Sequence, residues 1–384
     1  MKVDRSAFAL AIEPIGQEGP RPRTGPPRSR GRPCKCVPLF GGAAYTRLSL
    51  PIRHMNPAPP LRPVALRAAL TAFVGLCACV AGHAKDTPSY AGPCDASAAV
   101  ALDAQHFAVG NDEDNRLRVY RIGTPASLGA LALNRFLGLR DGDEADIEGA
   151  AAVGTRVYWI TSHARNAKGQ ARPARQRLFA TDIVPGQTPG LAAAGRPYTQ
   201  LLEDLANAPA LARYALADAS GRAAEAEGGL NIEGLAATPD GRLLIGLRNP
   251  LFGARALLVP LDNPAEVLFG GQRARLGTPV ELDLGGRGIR SIEGVADGYL
   301  IVAGPTADEG SFALYRWSGK PQDAPQPLAG VALGSLRPEA LFAPPGSAQF
   351  MLLSDDGGLP AGGRHACKDL PAARQSFRAL GFTP

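Results

Sequence analysis

Short catalytic signatures are missing from this chain of 384 residues. There is no GxSxG nucleophile elbow, no HExxH pair and no GxxxxGK[ST] phosphate loop, and Gly285-Gly286-Arg287-Gly288 is too short and wrongly placed for a dinucleotide turn. The acidic stretches Asp141-x-Asp143 and Asn111-Asp112-Glu113-Asp114-Asn115 do not follow the EF-hand spacing. Charge is sparse at 20% of residues, and only three of the five histidines (His106, His163 and His365) lie beyond residue 84. The longest apolar run, Ala68 to Ala81, falls short of the ~20 residues that a membrane-spanning helix needs. No standard motif names a reaction.

What the sequence does have is unevenly distributed. Its formal charge is +6, yet residues 1–84 hold 12 Lys/Arg against 3 Asp/Glu, while residues 85–384 hold 29 against 32. The body is therefore slightly acidic, which removes a bulk electrostatic argument for nucleic-acid binding. Residues 1–54 interleave Pro and Arg without an apolar period and are read as a disordered leader, or as an extension ahead of a start at Met55. Residues 55–84 read as a signal peptide: Arg62 and Arg67 precede the apolar run, and Gly82 and Ala84 supply small residues at −3 and −1. Cleavage after Ala84 is predicted, giving a periplasmic or secreted protein. The alternative is a lipid anchor at Cys79, because Leu76-Cys77-Ala78-Cys79 is similar to a lipobox.

Cysteine usage agrees with export. Cys34, Cys36, Cys77 and Cys79 lie in the leader, so Cys94 and Cys367 are the only thiols of residues 85–384 and are expected to form one disulfide.

Those 300 residues repeat one grammar. Asp146-Ile147-Glu148-Gly149, Asn231-Ile232-Glu233-Gly234, Ser291-Ile292-Glu293-Gly294 and Arg337-Pro338-Glu339-Ala340 each open an apolar stretch. A turn, a second strand (VYWITS, LLIGLR, YLIVAG, FMLLSD) and a third (QRLFATDI, ARALLVPL, SFALYRW, QSFRALGF) follow. A first copy, from Cys94, lacks the Glu, and fourth strands are read at ALNRFLGL and PVELDLGG. Short strands between Gly, Pro and Asp turns, repeated as a unit, predict an all-β fold: a β-propeller of five four-stranded blades, with six left open. Residues Tyr198–Leu216 are an insertion in the second unit with the apolar spacing of a short helix, or a degenerate sixth blade. A Cys94–Cys367 bridge would fasten the ring where its ends meet.

The stretches YWITSHARNAKGQARPARQRLFATDI, NIEGLAATPDGRLLIGLRNPLFGARALLVPL and GIRSIEGVADGYLIVAGP resemble the bacterial domain-of-unknown-function 3616 family. They are more distantly similar to phytase-like and esterase-like propeller domains. The resemblance implies a β-propeller over about residues 95–384 and brings no catalytic residue with it; its phytase-like branch suggests calcium and phosphate esters by analogy alone.

In an antiparallel blade, the end of the second strand returns to the face where the first begins. One face is therefore expected to gather Glu148, Glu233, Glu293 and Glu339 with the strand-two ends Ser162-His163-Ala164-Arg165, Arg248-Asn249, Gly304-Pro305-Thr306 and Ser354-Asp355-Asp356. Four carboxyls near one axis relax by protonation, by pairing with Arg or by holding a cation such as calcium, or else they accept hydrogen bonds from strand ends and fix blade spacing. Lys168, Arg172, Arg175 and Arg177 follow Arg165, a cation-rich loop that would receive an anion beside Ser162, or would pair with the acidic stretch Asp141–Asp146. Three functional readings follow. The first is an exported propeller binding a polar or anionic ligand through Ser162, Arg165, Lys168, Arg172, Arg175, Arg248 and Asn249. The second is a calcium-dependent hydrolase of phosphate or other esters, with the four Glu on the metal, His163 as acid/base and Arg165 and Arg248 on the anion. The third is a non-catalytic structural or protein-interaction scaffold.

Overall fold

The computed structural model describes residues 88–360 and 365–384. The leader, with the cleavage after Ala84, the alternative anchor at Cys79 and the thiols Cys34 and Cys36, lies outside the described residues. The first strand, β1 (Ser89–Ala91), belongs to the last blade. Blade one is β2 (Ala98–Ala101), β3 (His106–Gly110), β4 (Arg116–Arg121) and β5 (Gly129–Ala132). Blade two is β6 (Ile147–Val153), β7 (Arg156–Thr161), β8 (Leu178–Val184) and β9 (Gly190–Tyr198); blade three is β10 (Asn231–Ala237), β11 (Leu243–Asn249), β12 (Ala256–Leu261) and β13 (Val280–Leu282). Blade four is β14 (Gly288–Val295), β15 (Gly298–Gly304), β16 (Ala313–Trp317) and β17 (Gln326–Pro327). Blade five takes β18 (Pro338–Phe342), β19 (Phe350–Ser354) and β20 (Ser376–Phe382), and β1 completes it on the outside.

Every pairing within a blade is antiparallel, and the innermost strands touch in the cycle β2, β6, β10, β14, β18 and back to β2. Five blades thus close a ring. The second strands are the most deeply buried: all residues of β11 and β19 are buried, as expected for apolar runs sandwiched between neighbouring sheets. Trp159 and Trp317 fill inter-blade space, and Trp159 satisfies its indole N–H on Thr181 Oγ1 at 3.0 Å.

The insertion after blade two is helical. It holds α1 (Leu201–Asn207), a 3₁₀ turn at Pro209–Tyr214 and α2 (Leu216–Ala219), which press Leu201, Leu205, Leu211 and Leu216 into the core shared by blades two and three. It is not a sixth blade. The fourth strand expected at ALNRFLGL is corrected: β5 ends at Ala132, and Asn134–Leu137 form a helical turn closed by Gly138 in the left-handed region.

The seam between blades five and one is held three ways. Ser89 pairs with Arg378 and Ala91 with Ser376. Tyr90 packs its ring against Phe377, Phe107 and Tyr120 at centroid distances of 5.4, 5.2 and 5.5 Å. Cys94 and Cys367 form the expected disulfide, with Cα atoms 5.9 Å apart. Among the described residues, no helix is long and apolar enough to cross a membrane.

Candidate functional site

The repeated Glu sits at a β-bulge. In blade two Ile147 pairs with Thr161 and Gly149 with Ile160, which leaves Glu148 without a partner between them. Glu233 occupies the same place between the pairs Ile232–Leu247 and Gly234–Gly246, and Glu339 between Pro338–Ser354 and Ala340–Leu353. A bulge turns one side chain out of the ladder, and all three carboxyls line one cavity of about 460 Å³. The small residue after the Glu lets the blades approach: a Cβ on Gly234 would stand 2.7 Å from Ile289 of the next blade.

Blade four breaks the rule. Ile289 pairs with Ala303 and Ser291 with Val302, so the bulged residue is Arg290. Glu293 lies in regular register with Leu300, nearer the other end of β14, and lines a separate cavity of about 840 Å³ with Asp240, Arg242 and Lys320. The expected face of four glutamates is therefore three glutamates and an arginine. Ile292-Glu293-Gly294 is a look-alike three residues out of step, and Gly294 has no close approach to defend, since a Cβ there would meet nothing nearer than 3.6 Å.

Arg290 neutralises what the ring concentrates. It is 3% exposed; its Nη2 contacts Glu339 Oε1, and its Nε stands 2.8 Å from Glu233 Oε2. That second contact is one of charge only, because the N–H is not aimed at the oxygen and neither atom gains a hydrogen bond. Arg248 donates from Nη1 to Glu233 Oε1 at 3.0 Å, from Nη2 to Glu225 at 3.4 Å, and to the carbonyls of Pro305 and Ala307. Asn231 donates to the same Glu233 oxygen at 2.9 Å. Blades three to five thus fill their side of the cavity with an arginine–glutamate network.

The other side is acidic and incompletely partnered. Asp95 and Glu113 reach the cavity from loops around blade one, Asp112 from the end of β3, and Asp355 from the end of β19. Asp95 is 4% exposed; burial foremost, then its hydrogen bond to Asp355 and the charge of Asp112, push its carboxyl up to about 10. Asp355 is held below the ordinary range, because the Asp95 and Gly357 hydrogen bonds with Arg337 and Arg290 outweigh burial. A neutral Asp95 therefore donates to an ionised Asp355. Burial, then the charges of Asp146 and Asp355, raise Asp112 to about 8. Glu148 is raised well above its ordinary value by burial and by Glu233, Asp146 and Asp112. Oδ1 of Asp95 and Oδ1 of Asp112 are enclosed and have no hydrogen-bond partner among the described residues.

The residues read as ligand-binding are dispersed. Arg248 alone among them lines the cavity. Asn249 donates to the carbonyls of Ala224 and Ala226, and Ser162 Oγ accepts from the Ala164 N–H. Arg165 is tied to the carbonyls of Ser220 and Gly169, and Arg175 to Asp146 and Glu144, the pairing with the acidic stretch that the sequence left open. Lys168 and Arg172 are exposed and line neither cavity. His163 is 2% exposed with a left-handed φ of 55°; its Nδ1–H donates to the Thr161 carbonyl at 2.7 Å, and burial lowers its pKa to about 4. It is a neutral, enclosed imidazole that does not line the cavity. Among the described residues no three His, Cys, Asp or Glu side chains are grouped to hold a metal ion.

Sequence reasoning missed Arg290, although a signal existed. Glu148 to His163 and Glu233 to Arg248 span 15 residues, and the same interval counted back from Pro305 lands on Arg290. Asp95, Glu225 and Lys368 also line the cavity and carry no comparable signal, since Asp95 and Glu225 come from irregular segments and Lys368 from the 3₁₀ turn Cys367–Asp369.

Fold and site together define a five-bladed β-propeller with a charged pocket at one end of its inner strands. Residues 190–335 match the family described as "Protein of unknown function (DUF3616)", in agreement with the resemblance read from the sequence. No curated protein matches the chain. Among solved structures, the Myxococcus xanthus glutaminyl cyclase is 14% identical, with 77% of this chain and 94% of that one covered and a TM-score of 0.39. The PQQ-bound aldose sugar dehydrogenase of Streptomyces coelicolor is 12% identical, with 77% and 97% covered and a TM-score of 0.39. Likenesses this distant carry no function across.

Proposed function

We propose that this protein is an exported binding propeller that takes a small polar ligand into the pocket on its Glu-bearing face. The observation that carries the reading is the pocket itself. It holds about 460 Å³, within the range of small-molecule sites, and its walls include enclosed carboxyl oxygens, on Asp95 and Asp112, with no hydrogen-bond partner among the described residues. A purely structural ring would be expected to satisfy such atoms. Export is supported by the Cys94–Cys367 disulfide, which suits an oxidising compartment.

The calcium-dependent hydrolase is the second reading, and the donor set fits it less well. Glu233 and Glu339 are engaged by Arg248 and Arg290, Glu293 faces another cavity, and His163 is enclosed away from the pocket. Both readings are tested on the protein purified from the exported fraction. Thermal shift against polar compounds of either charge is combined with hydrolysis of a generic phosphomonoester, with and without calcium. A stabilising compound whose effect disappears in Glu148→Gln, without turnover, supports binding. Turnover that is lost in both Glu233→Gln and His163→Ala replaces it with the hydrolase. No stabilisation and no turnover would leave the scaffold. Intact mass of the same sample separates a chain starting at Lys85 from one lipidated at Cys79.

A further inference from the structure

The pocket has two unlike halves. Among the described residues, ten carboxyl side chains and four cationic ones line it. On the side of blades three to five, the charges of Arg248 and Arg290 are countered by Glu225, Glu233 and Glu339, and Arg248 also donates to the Pro305 and Ala307 carbonyls; Arg290 Nε, 2.8 Å from Glu233 Oε2, makes no hydrogen bond. Across from them, Asp95, Asp112, Glu113, Glu148 and Asp355 face the cavity; among the described residues, the exposed Lys368 acts on Glu113, Arg337 and Arg290 act on Asp355, and Arg290 acts on Glu148. Among the described residues, Arg175 is committed to Asp146 and Glu144, Arg118 to Asp114 and Arg378 to Asp356. An incoming anion would meet five carboxyls. A cation would meet Asp95 Oδ1 and Asp112 Oδ1, which have no hydrogen-bond partner among the described residues.

Resting on the binding reading above, we propose that the ligand is a small organic cation whose ammonium or guanidinium group seats among Asp95, Asp112 and Glu148. Asp95 is the strongest single support, being 4% exposed, lining the pocket and having Oδ1 unpartnered. The size of the pocket suits an organic molecule, whereas a bare divalent ion needs oxygens converging at about 2.3–2.6 Å, and no three acids among the described residues are so grouped. Burial, then the charges of Asp146, Asp355 and Glu113, push Asp112 up to about 8, and burial, then Glu233, Asp146 and Asp112, push Glu148 well above its ordinary value, with Arg290 pulling Glu148 down. A cation favours the ionised form. Uptake therefore releases protons, and affinity rises as pH rises towards the Asp112 value of about 8.

The test is calorimetric titration of the exported protein with 1,4-diaminobutane at pH 7 in Hepes and in Tris. The expected result is one saturable site, with a buffer-dependent heat that reports proton release. Asp112→Asn, nearly isosteric, should weaken binding by about tenfold or more. Lys368→Ala, at an exposed position, should tighten it by removing the competing charge. Diamine binding indifferent to both variants overturns the proposal. Inorganic phosphate or a neutral polyol binding in its place, with sensitivity to Asp112→Asn, overturns the cation but leaves the binding propeller standing. Calcium chloride binding without the diamine also overturns it, in favour of an ion site, and a pocket that takes none of these probes removes both readings.

Discussion

The two cavities at opposite ends of the inner strands invert the usual ranking by size. The larger, about 840 Å³, is walled by strand-connecting turns, and its Arg242 is paired with Asp240 at 2.8 Å and with Asp262 at 3.4 Å. The smaller, about 460 Å³, concentrates carboxyls, of which Asp95 Oδ1 and Asp112 Oδ1 are enclosed without a hydrogen-bond partner among the described residues. Volume follows from where loops happen to be short. Unmet hydrogen-bonding capacity is what a ring built for stability alone would have eliminated, so the smaller cavity is the better candidate for function.

Mutation should separate the two ends sharply. Arg290→Met leaves Glu233 and Glu339 without their shared cation at a site 3% exposed, and should cost about 3–5 kcal/mol in urea unfolding. The corresponding change at the large cavity, Arg242→Met, removes pairs whose side chains are 36–61% exposed and should cost less than about 1 kcal/mol. Equal losses would erase the distinction. Next in size is the seam: Cys94→Ser with Cys367→Ser should lower stability by about 2–5 kcal/mol, since the bridge closes a loop of 273 residues. The pocket should feel this more than the large cavity does, because Asp95 and Lys368 are chain neighbours of the bridged cysteines.

Acidity offers a subtler contrast. Burial raises Glu293 from 4.5 to about 8, against a weaker opposing hydrogen bond from the Ala343 N–H. The folded state therefore holds a proton that the unfolded chain has released between these values. The contribution of Glu293 to stability is fully present below pH 4.5 and is lost as pH rises through 8, with a slope of at most about 1.4 kcal/mol per pH unit. Thermal unfolding of Glu293→Gln across pH 5–8 should show a shallower decline, while ligand uptake at the other end stays unchanged. Lys168→Ala and Arg172→Ala should have the smallest effect, within about 0.5 kcal/mol and without change in binding, since both side chains are exposed and line neither cavity.

Blade strands were legible in the sequence because alternating burial and turn residues leave a period that survives divergence, and the second and third strands of four blades fall where the pattern puts them. The bulge was half legible. Glu148, Glu233 and Glu339 announce it, but Glu293 imitates the letters while Arg290 holds the position, and only the pairing of Ser291 with Val302 tells them apart. The acid half of the pocket was hardest to read. Asp112 and Asp355 extend strand ends and could be placed on the face, whereas Asp95 arrives through ring closure, a contact between distant parts of the chain that local pattern does not encode. The arginine-rich loop misled in the opposite direction: its cations stand out as letters, yet Arg165 and Arg175 are spent on carbonyls and on the acidic stretch beside them.

Placing β1 in the fifth blade sets an order of events. Blades one to four are each drawn from one continuous segment and can form as the chain lengthens, but blade five needs Ser89 from one end and Arg378 from the other. Contacts this remote in sequence carry the largest loop-closure penalty and arrive slowly. Asp95 and Lys368 flank the bridge that completes this step, so these two residues of the pocket are set in place only when the ring closes. A chain truncated before β20 would keep every described residue that lines the pocket yet lack the strand on which β1 closes the ring.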